Sequence, residues 1–306
     1  MEILAIMVPV FGIIALGSVL SLSGFLTDPL TNGLNKIVYY VALPALLMRA
    51  CAQAGAPALS DWKPLIAVAI PTLAVAGLAV LIGYMLRLEP STRRAFLVVT
   101  FFGNLTYIGL PVMTHSLGLV EVWERPELLD STIVVLILMN IAYNLVAVGI
   151  LQPGGVRATA LFIRILTNPI LLAGFSGLMI ATLGLSLPSP VELTLTSLGG
   201  MAIPAALLCI GSSLVRARFR SMMLPVVTAS FLKVFLLPFL AWCLIPHLGL
   251  SKGDTRVALI LAACPTAVAS YSLARELKCA PDFVAAAITL STLLSAISLF
   301  LALSFT

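Results

Sequence analysis

A stretch of nine residues, G-N-L-T-Y-I-G-L-P, places an amide, a hydroxyl, two glycines and a proline inside an otherwise apolar run. A proline inside a helix removes one backbone hydrogen bond, and the freed groups must then be satisfied by protein or by a water-filled cavity. Free N–H groups at the start of a helix carry partial positive charge and bind anions. We therefore predict an anion-binding break in a helix, formed by Asn104, Thr106, Gly109 and Pro111.

A second stretch, C-P-T-A-V-A-S-Y-S, repeats the combination of a proline with hydroxyl and small side chains. Pro265 and Thr266 are its candidate ligands. Paired interruptions in corresponding halves of a membrane chain mark the substrate site of many transporters, so we expect the two stretches to meet. The alternative is that both prolines only kink ordinary helices.

Lys233 lies near the middle of an apolar run, where a lysine costs about 2.5–3.5 kcal/mol on insertion scales. Such a residue normally faces a bundle interior, here as the counter-charge of a substrate or as an internal strut. No acidic residue lies deep in an apolar run, so an anionic substrate would supply the missing partner. Asn140, Tyr143 and Asn144 share one helix face and are interpreted as interhelical hydrogen-bonding groups.

The elements that must position these residues are predicted to be membrane-spanning helices. Apolar residues form 61% of the chain and charged residues 9%, against about 45–50% and about 25% in soluble domains. The apolar runs are continuous rather than alternating, which favours helices over barrel strands. We predict an all-α integral membrane protein with ten spans, at residues 3–22, 34–53, 64–86, 94–116, 131–151, 160–182, 194–215, 221–245, 256–276 and 282–304.

The five cysteines form no C-x-x-C pair, and the chain carries none of the common catalytic motifs or phosphate-binding loops. We therefore expect no metal, no cofactor and no enzyme activity. The net charge of +5 does not predict nucleic-acid binding, because basic residues gather at the cytoplasmic ends of membrane helices. Their distribution over the connections predicts that both termini lie on the outer side, and the inner membrane is the expected location.

The two halves of the chain, residues 1–152 and 153–306, look like distant copies. Span 2 reads Y-V-A-L-P-A-L-L and span 7 reads G-M-A-I-P-A-A-L-L, and spans 4 and 9 each contain an internal proline. An odd number of spans in each half turns the second half upside down. We therefore predict two inverted five-helix repeats whose broken fourth and ninth helices cross.

These motifs, in this order, resemble the auxin efflux carrier family, which contains plant PIN-type carriers and bacterial malonate or malate permeases. The resemblance rests on G-L-N-K-I-V-Y-Y-V-A-L-P, N-x-x-x-x-G-x-P, K-V-F-L-L-P and C-P-T-A-V along nearly the whole chain. It implies that Asn104, Pro111 and Pro265 are the crossover residues beside the substrate. It also implies that Lys233 stands where plant members have arginine.

The same resemblance implies a homodimer that works by an elevator mechanism. Helices 1, 2, 6 and 7 would form a scaffold, and helices 3–5 and 8–10 a moving transport unit. The long central loop of many plant members is absent, so a carboxylate such as malonate or malate is expected rather than auxin. The coupling ion, a proton or sodium, stays open, as do two other functions: a sodium-coupled symporter of the bile-acid type and a non-transporting membrane sensor.

Overall fold

The computed structural model describes residues 2–53, 62–116, 126–151, 167–215 and 222–305. Most of these residues are helical, and the described part of the chain contains no β-structure beyond one isolated bridge. The helices, in chain order, are α1 Glu2–Leu22, α2 Asp28–Gln53, α3 Lys63–Met85, α4 Pro90–Phe101, α5 Leu105–Gly109 continued by Leu110–Ser116, α6 Pro126–Leu151, α7 Pro169–Thr182, α8 Ser189–Val215, α9 Met223–Leu248, α10 Lys252–Ala263, α11 Ala269–Glu276 and α12 Pro281–Ser304.

The all-helical membrane character predicted from composition is confirmed. Five helices of the described chain, α2, α3, α8, α9 and α12, are continuous, long and apolar enough to cross a bilayer. Shorter apolar helical segments lie in α1, α6 and α7. The predicted fourth span is divided into α4 and α5, and the predicted ninth into α10 and α11. Residues 160–166 of the predicted sixth span, residue 221 of the eighth and the boundary between the predicted halves lie outside the described residues.

Three prolines inside helices each follow a wide turn of backbone. A proline lacks an N–H and clashes with the preceding turn of an α-helix, whereas a π turn bonds residue i to i+5 and is wider. The helix therefore continues through each of these prolines instead of ending there. The three π turns are Val38–Ala42, Leu105–Gly109 and Leu232–Leu236, and Pro44, Pro111 and Pro238 each come two residues after one of them.

Two glycine contacts hold α1 against α8 and α7 against α2, which are the two most extensive helix contacts of the described chain. A methyl group at Gly17 of α1 would collide with the Leu208 carbonyl of α8, and one at Gly177 of α7 would collide with the Met48 carbonyl of α2. Small residues let helix backbones approach closely within membranes. These contacts tie α1, α2, α7 and α8 into two tightly packed pairs.

Replacing Gly17 by alanine is expected to destabilise the protein, because the neighbouring atoms are backbone and cannot rotate away. Overpacking of this kind costs about 1–3 kcal/mol. The matched control is Gly12→Ala on the same helix, where an added methyl group meets nothing within 4 Å and helix propensity improves. Thermal unfolding in detergent should show a lower midpoint for Gly17→Ala alone. Equal midpoints for the two variants would contradict the predicted close approach.

Candidate functional site

The interruptions of the predicted fourth and ninth spans lie directly against each other. Residues 102–104 and residues 264–268 leave helical geometry and pair through an isolated antiparallel bridge. The Asn104 N–H donates to the Pro265 carbonyl at 2.7 Å, and a second backbone bond of 2.8 Å closes the bridge. Buried backbone groups need such partners, so the two breaks satisfy one another. We call these paired segments the crossing.

Four helix ends converge on the crossing. α4 and α10 end there with their C-termini, which carry partial negative charge, while α5 and α11 begin there with N-termini of partial positive charge. One pair of ends thus attracts a cation and the other pair attracts an anion.

Lys233 supplies the cation for the negative pair of ends. Its side chain, fully buried, extends from α9, and its ammonium donates to the Ala262 carbonyl in the last turn of α10 at 3.2 Å. A methyl group added at Gly103 would lie 3.3 Å from the Lys233 Nζ, so glycine leaves room for the ammonium. Of the two roles predicted for Lys233, these contacts favour the internal strut.

Asn104 caps the positive end of α5. Its side chain is 3% exposed, and its Oδ1 accepts the Tyr107 N–H at 3.2 Å. Its Nδ2 is buried and has no hydrogen-bond partner in the described part of the chain. An unpaired buried donor costs about 1–3 kcal/mol, and a carboxylate oxygen would satisfy it. This amide is therefore the group at the crossing best suited to an anion.

The other predicted ligands on α5 shape the crossing from the same helix. The Thr106 hydroxyl accepts from the Asn140 amide of α6 at 3.3 Å. A methyl group at Gly109 would lie 2.9 Å from the Cys264 Sγ, so glycine allows α5 to approach the opposite break. Pro111 is buried after the π turn. Thr106, Gly109 and Pro111 thus fix the position of α5, and the Thr106 hydroxyl accepts in its contact with Asn140, which leaves its own O–H to donate.

Thr266 ties the crossing to two neighbouring helices. Its hydroxyl donates to the Val99 carbonyl of α4 at 2.8 Å, and its N–H donates to the Ser291 hydroxyl of α12 at 3.1 Å. The residue is fully buried. Both of its donors are occupied, and Pro265 contributes its carbonyl to Asn104, so these two residues hold the break in place.

Interhelical hydrogen bonds were predicted for the three polar residues of α6, and two of them make such bonds. Besides the Asn140 bond to Thr106, the Tyr143 hydroxyl lies 3.1 Å from the Thr72 hydroxyl of α3. Asn144 differs, since its amide donates to the Asn140 carbonyl within the same helix at 2.8 Å. α6 is thereby linked to α3 and to α5 beside the crossing.

A cavity of about 480 Å³ lies next to the crossing, between α2 and α8 on one side and α5 and α11 on the other. Tyr107, three residues after Asn104, and Val268, two residues after Thr266, belong to its wall and bring it to the crossing. Its polar lining comes from Thr31, Asn32, Asn35, Tyr107, Ser213 and Tyr271, together with Arg275. No group of three or more His, Cys, Asp or Glu side chains suited to a metal lies among the described residues.

The cavity residues were not predicted from the sequence, although their spacing carries a signal. Tyr271 and Arg275 stand at i and i+4, which places them on one face of α11. Thr31 and Asn35 are related in the same way on α2. Polar side chains repeated at this spacing in an apolar chain mark a face turned to protein or water.

Comparison with known proteins adds two findings. The family described as "Membrane transport protein" matches the chain in two segments, residues 2–158 and 156–303. A protein of Rhizobium meliloti (strain 1021) named "Putative malonate transporter" is 26% identical over 313 residues, covering 96% of this chain and 92% of that protein. The similarity thus includes both segments of the crossing and all four helices around the cavity.

Proposed function

Because the chain belongs to the auxin efflux carrier family of membrane transport proteins, we propose that it is a secondary transporter of small organic anions. Carboxylates such as malonate or malate are its proposed substrates, in agreement with the name of the Rhizobium meliloti relative. The family and that relative identify a membrane transporter rather than an enzyme.

One observation carries the proposed substrate class. The Asn104 Nδ2 is buried without a partner among the described residues, at the positive ends of α5 and α11 and next to a cavity. A carboxylate would accept from this amide and gain from both helix ends. Lys233 neutralises the opposite pair of ends, so the remaining charge of the crossing favours an anion.

The proposed architecture has ten spans in two inverted repeats, residues 1–152 and 153–306. The glycine contacts that pair α1 with α8 and α2 with α7 support a scaffold of these four helices. α3–α6 and α9–α12 then form the transport unit, which contains the whole crossing. The cavity lies between the two units, since α2 and α8 face α5 and α11 across it. A sliding of one unit against the other would carry a bound anion across the membrane in elevator fashion.

The proposed orientation makes this conformation open to the cytoplasm. The cavity reaches the first turns of α2, the last turn of α8 and the last turn of α11. These ends adjoin the connections in which basic residues are concentrated, which the positive-inside rule assigns to the cytoplasm. The protein is accordingly proposed to lie in the inner membrane with both termini outside, as a homodimer joined through its scaffold.

Counterflow of labelled malonate and malate in proteoliposomes tests the proposal. We expect unlabelled dicarboxylate inside the vesicles to drive uptake of label, with protein-free liposomes as the control. Repeating the assay without sodium, and with and without a pH gradient, identifies the coupling ion. A strict sodium requirement would favour the bile-acid type of symporter. Binding of carboxylates with no counterflow under any condition would instead identify a sensor and contradict the proposal.

A further inference from the structure

The described lining of the cavity beside the crossing carries a positive charge and no negative charge. Arg275 is the charged residue that lines it, and its described lining contains hydroxyl and amide groups but no carboxylate. Arg275 is exposed, and no ion pair or hydrogen bond joins its guanidinium to another described residue. A solvated guanidinium facing neutral donors forms an environment that favours an anion with several oxygens.

The position of Arg275 on α11 relates it to the crossing. Seven residues separate it from Val268 at the crossing, which is a rise of about 10 Å along the helix. Side chains on a helix lean back toward its N-terminus, and the N-terminus of α11 lies at the crossing. The long arginine side chain is therefore directed into the cavity, along the face that also carries Tyr271.

The structure assigns Arg275 as the residue that binds the second carboxylate of a dicarboxylate substrate, an inference that rests on the proposed function. One carboxylate faces the crossing and the Asn104 amide, while the other pairs with the guanidinium at the wide end of the cavity. Arginine suits this role because its planar fork can hold a carboxylate through two parallel hydrogen bonds. Arg275, interpreted from the sequence alone, is only a basic residue at the cytoplasmic end of a helix.

The consequence is a preference for dianions over otherwise similar monoanions. Malonate and malonamate differ in that a neutral amide replaces one carboxylate, with little change of shape. The unmodified protein is expected to bind malonate more tightly than malonamate. Arg275→Gln should weaken malonate binding about 10- to 100-fold, the usual contribution of a charge-assisted pair, and leave malonamate binding within about twofold. Arg275→Lys should lie in between, since it keeps the charge without the fork.

Isothermal titration calorimetry of the detergent-solubilised full chain with both anions measures these affinities. Lys278→Gln is the matched control, because Lys278 is exposed three residues further on and is not part of the cavity wall. Unchanged malonate affinity in Arg275→Gln, or an equal loss for both anions, would overturn the assignment of Arg275 alone. If the unmodified protein bound neither anion, the proposed function would fail as well.

Discussion

Substituting serine for Asn104 is expected to weaken carboxylate binding about 10- to 100-fold while the protein stays folded. A serine hydroxyl can still accept the Tyr107 N–H and cap α5, but it lacks the amide Nδ2 that is buried without a partner among the described residues. A hydrogen bond to a charged group contributes about 1.5–3 kcal/mol, and each 1.4 kcal/mol is a factor of ten in affinity. Calorimetry with malonate and counterflow in proteoliposomes measure the loss.

Two further variants separate the capping role of Asn104 from its binding role. Asn104→Ala removes both the amide and the cap. The lost cap should reduce the free energy of unfolding by a further amount of about 1 kcal/mol, the usual cost, and so lower the unfolding midpoint. Asn144→Ser is the control, because that amide bonds only to the backbone of its own helix in the described contacts. Wild-type affinity in Asn104→Ser would remove the Asn104 amide from the substrate site.

Replacing Lys233 by methionine is expected to reduce transport to background by loosening the crossing. Methionine has a similar length but no charge, so the carbonyl ends of α4 and α10 lose their buried cation. A cation at a helix C-terminus contributes about 0.3–2 kcal/mol, and the hydrogen bond to Ala262 contributes about 1.5–3 kcal/mol. Because a buried charge is itself costly, its removal offsets part of this loss of stability. The substitution should therefore loosen the crossing without unfolding the protein.

Hydrogen exchange distinguishes the two roles predicted for Lys233. If the residue is a strut, Lys233→Met should reduce protection of the Asn104 and Ala267 amides, which bond across the crossing, and leave α1 and α8 unchanged. Leu240→Met on the same helix is the control for a methionine substitution. Lost binding with full protection at the crossing would show that Lys233 is instead the counter-charge of the substrate. Normal transport by the variant would exclude both roles.

Helices that are single apolar runs could be placed from the sequence within a few residues. The spans predicted at 64–86 and 282–304 correspond to Lys63–Met85 and Pro281–Ser304. Lipid explains this accuracy, because a helix in a bilayer needs a continuous apolar stretch of fixed length. The interruptions at Asn104 and Pro265 were predictable for a related reason, since glycine, proline and polar groups together are costly in lipid without a partner.

Contacts between distant parts of the chain could not be derived in this way. Apolar periodicity does not show that the Thr266 hydroxyl is occupied by Val99, a residue 167 positions away. It also does not separate a free amide, as in Asn104, from a bonded one, as in Asn140. Arg275 illustrates the same limit, because a basic residue near a helix end is expected at the interface whether or not a cavity opens beside it. These distinctions depend on which helices pack together.

The π turn of α9 changes the direction in which side chains point before and after it. One additional residue in a turn rotates the parts before and after it by about 100° relative to each other. Lys233 stands at the start of this turn and directs its ammonium to the crossing. The part of the helix from Leu237 onward is rotated relative to it and packs on α3 and α10. A change in length by a single residue within this turn would swing the charged side chain away from the interior, so insertions and deletions there cannot be neutral.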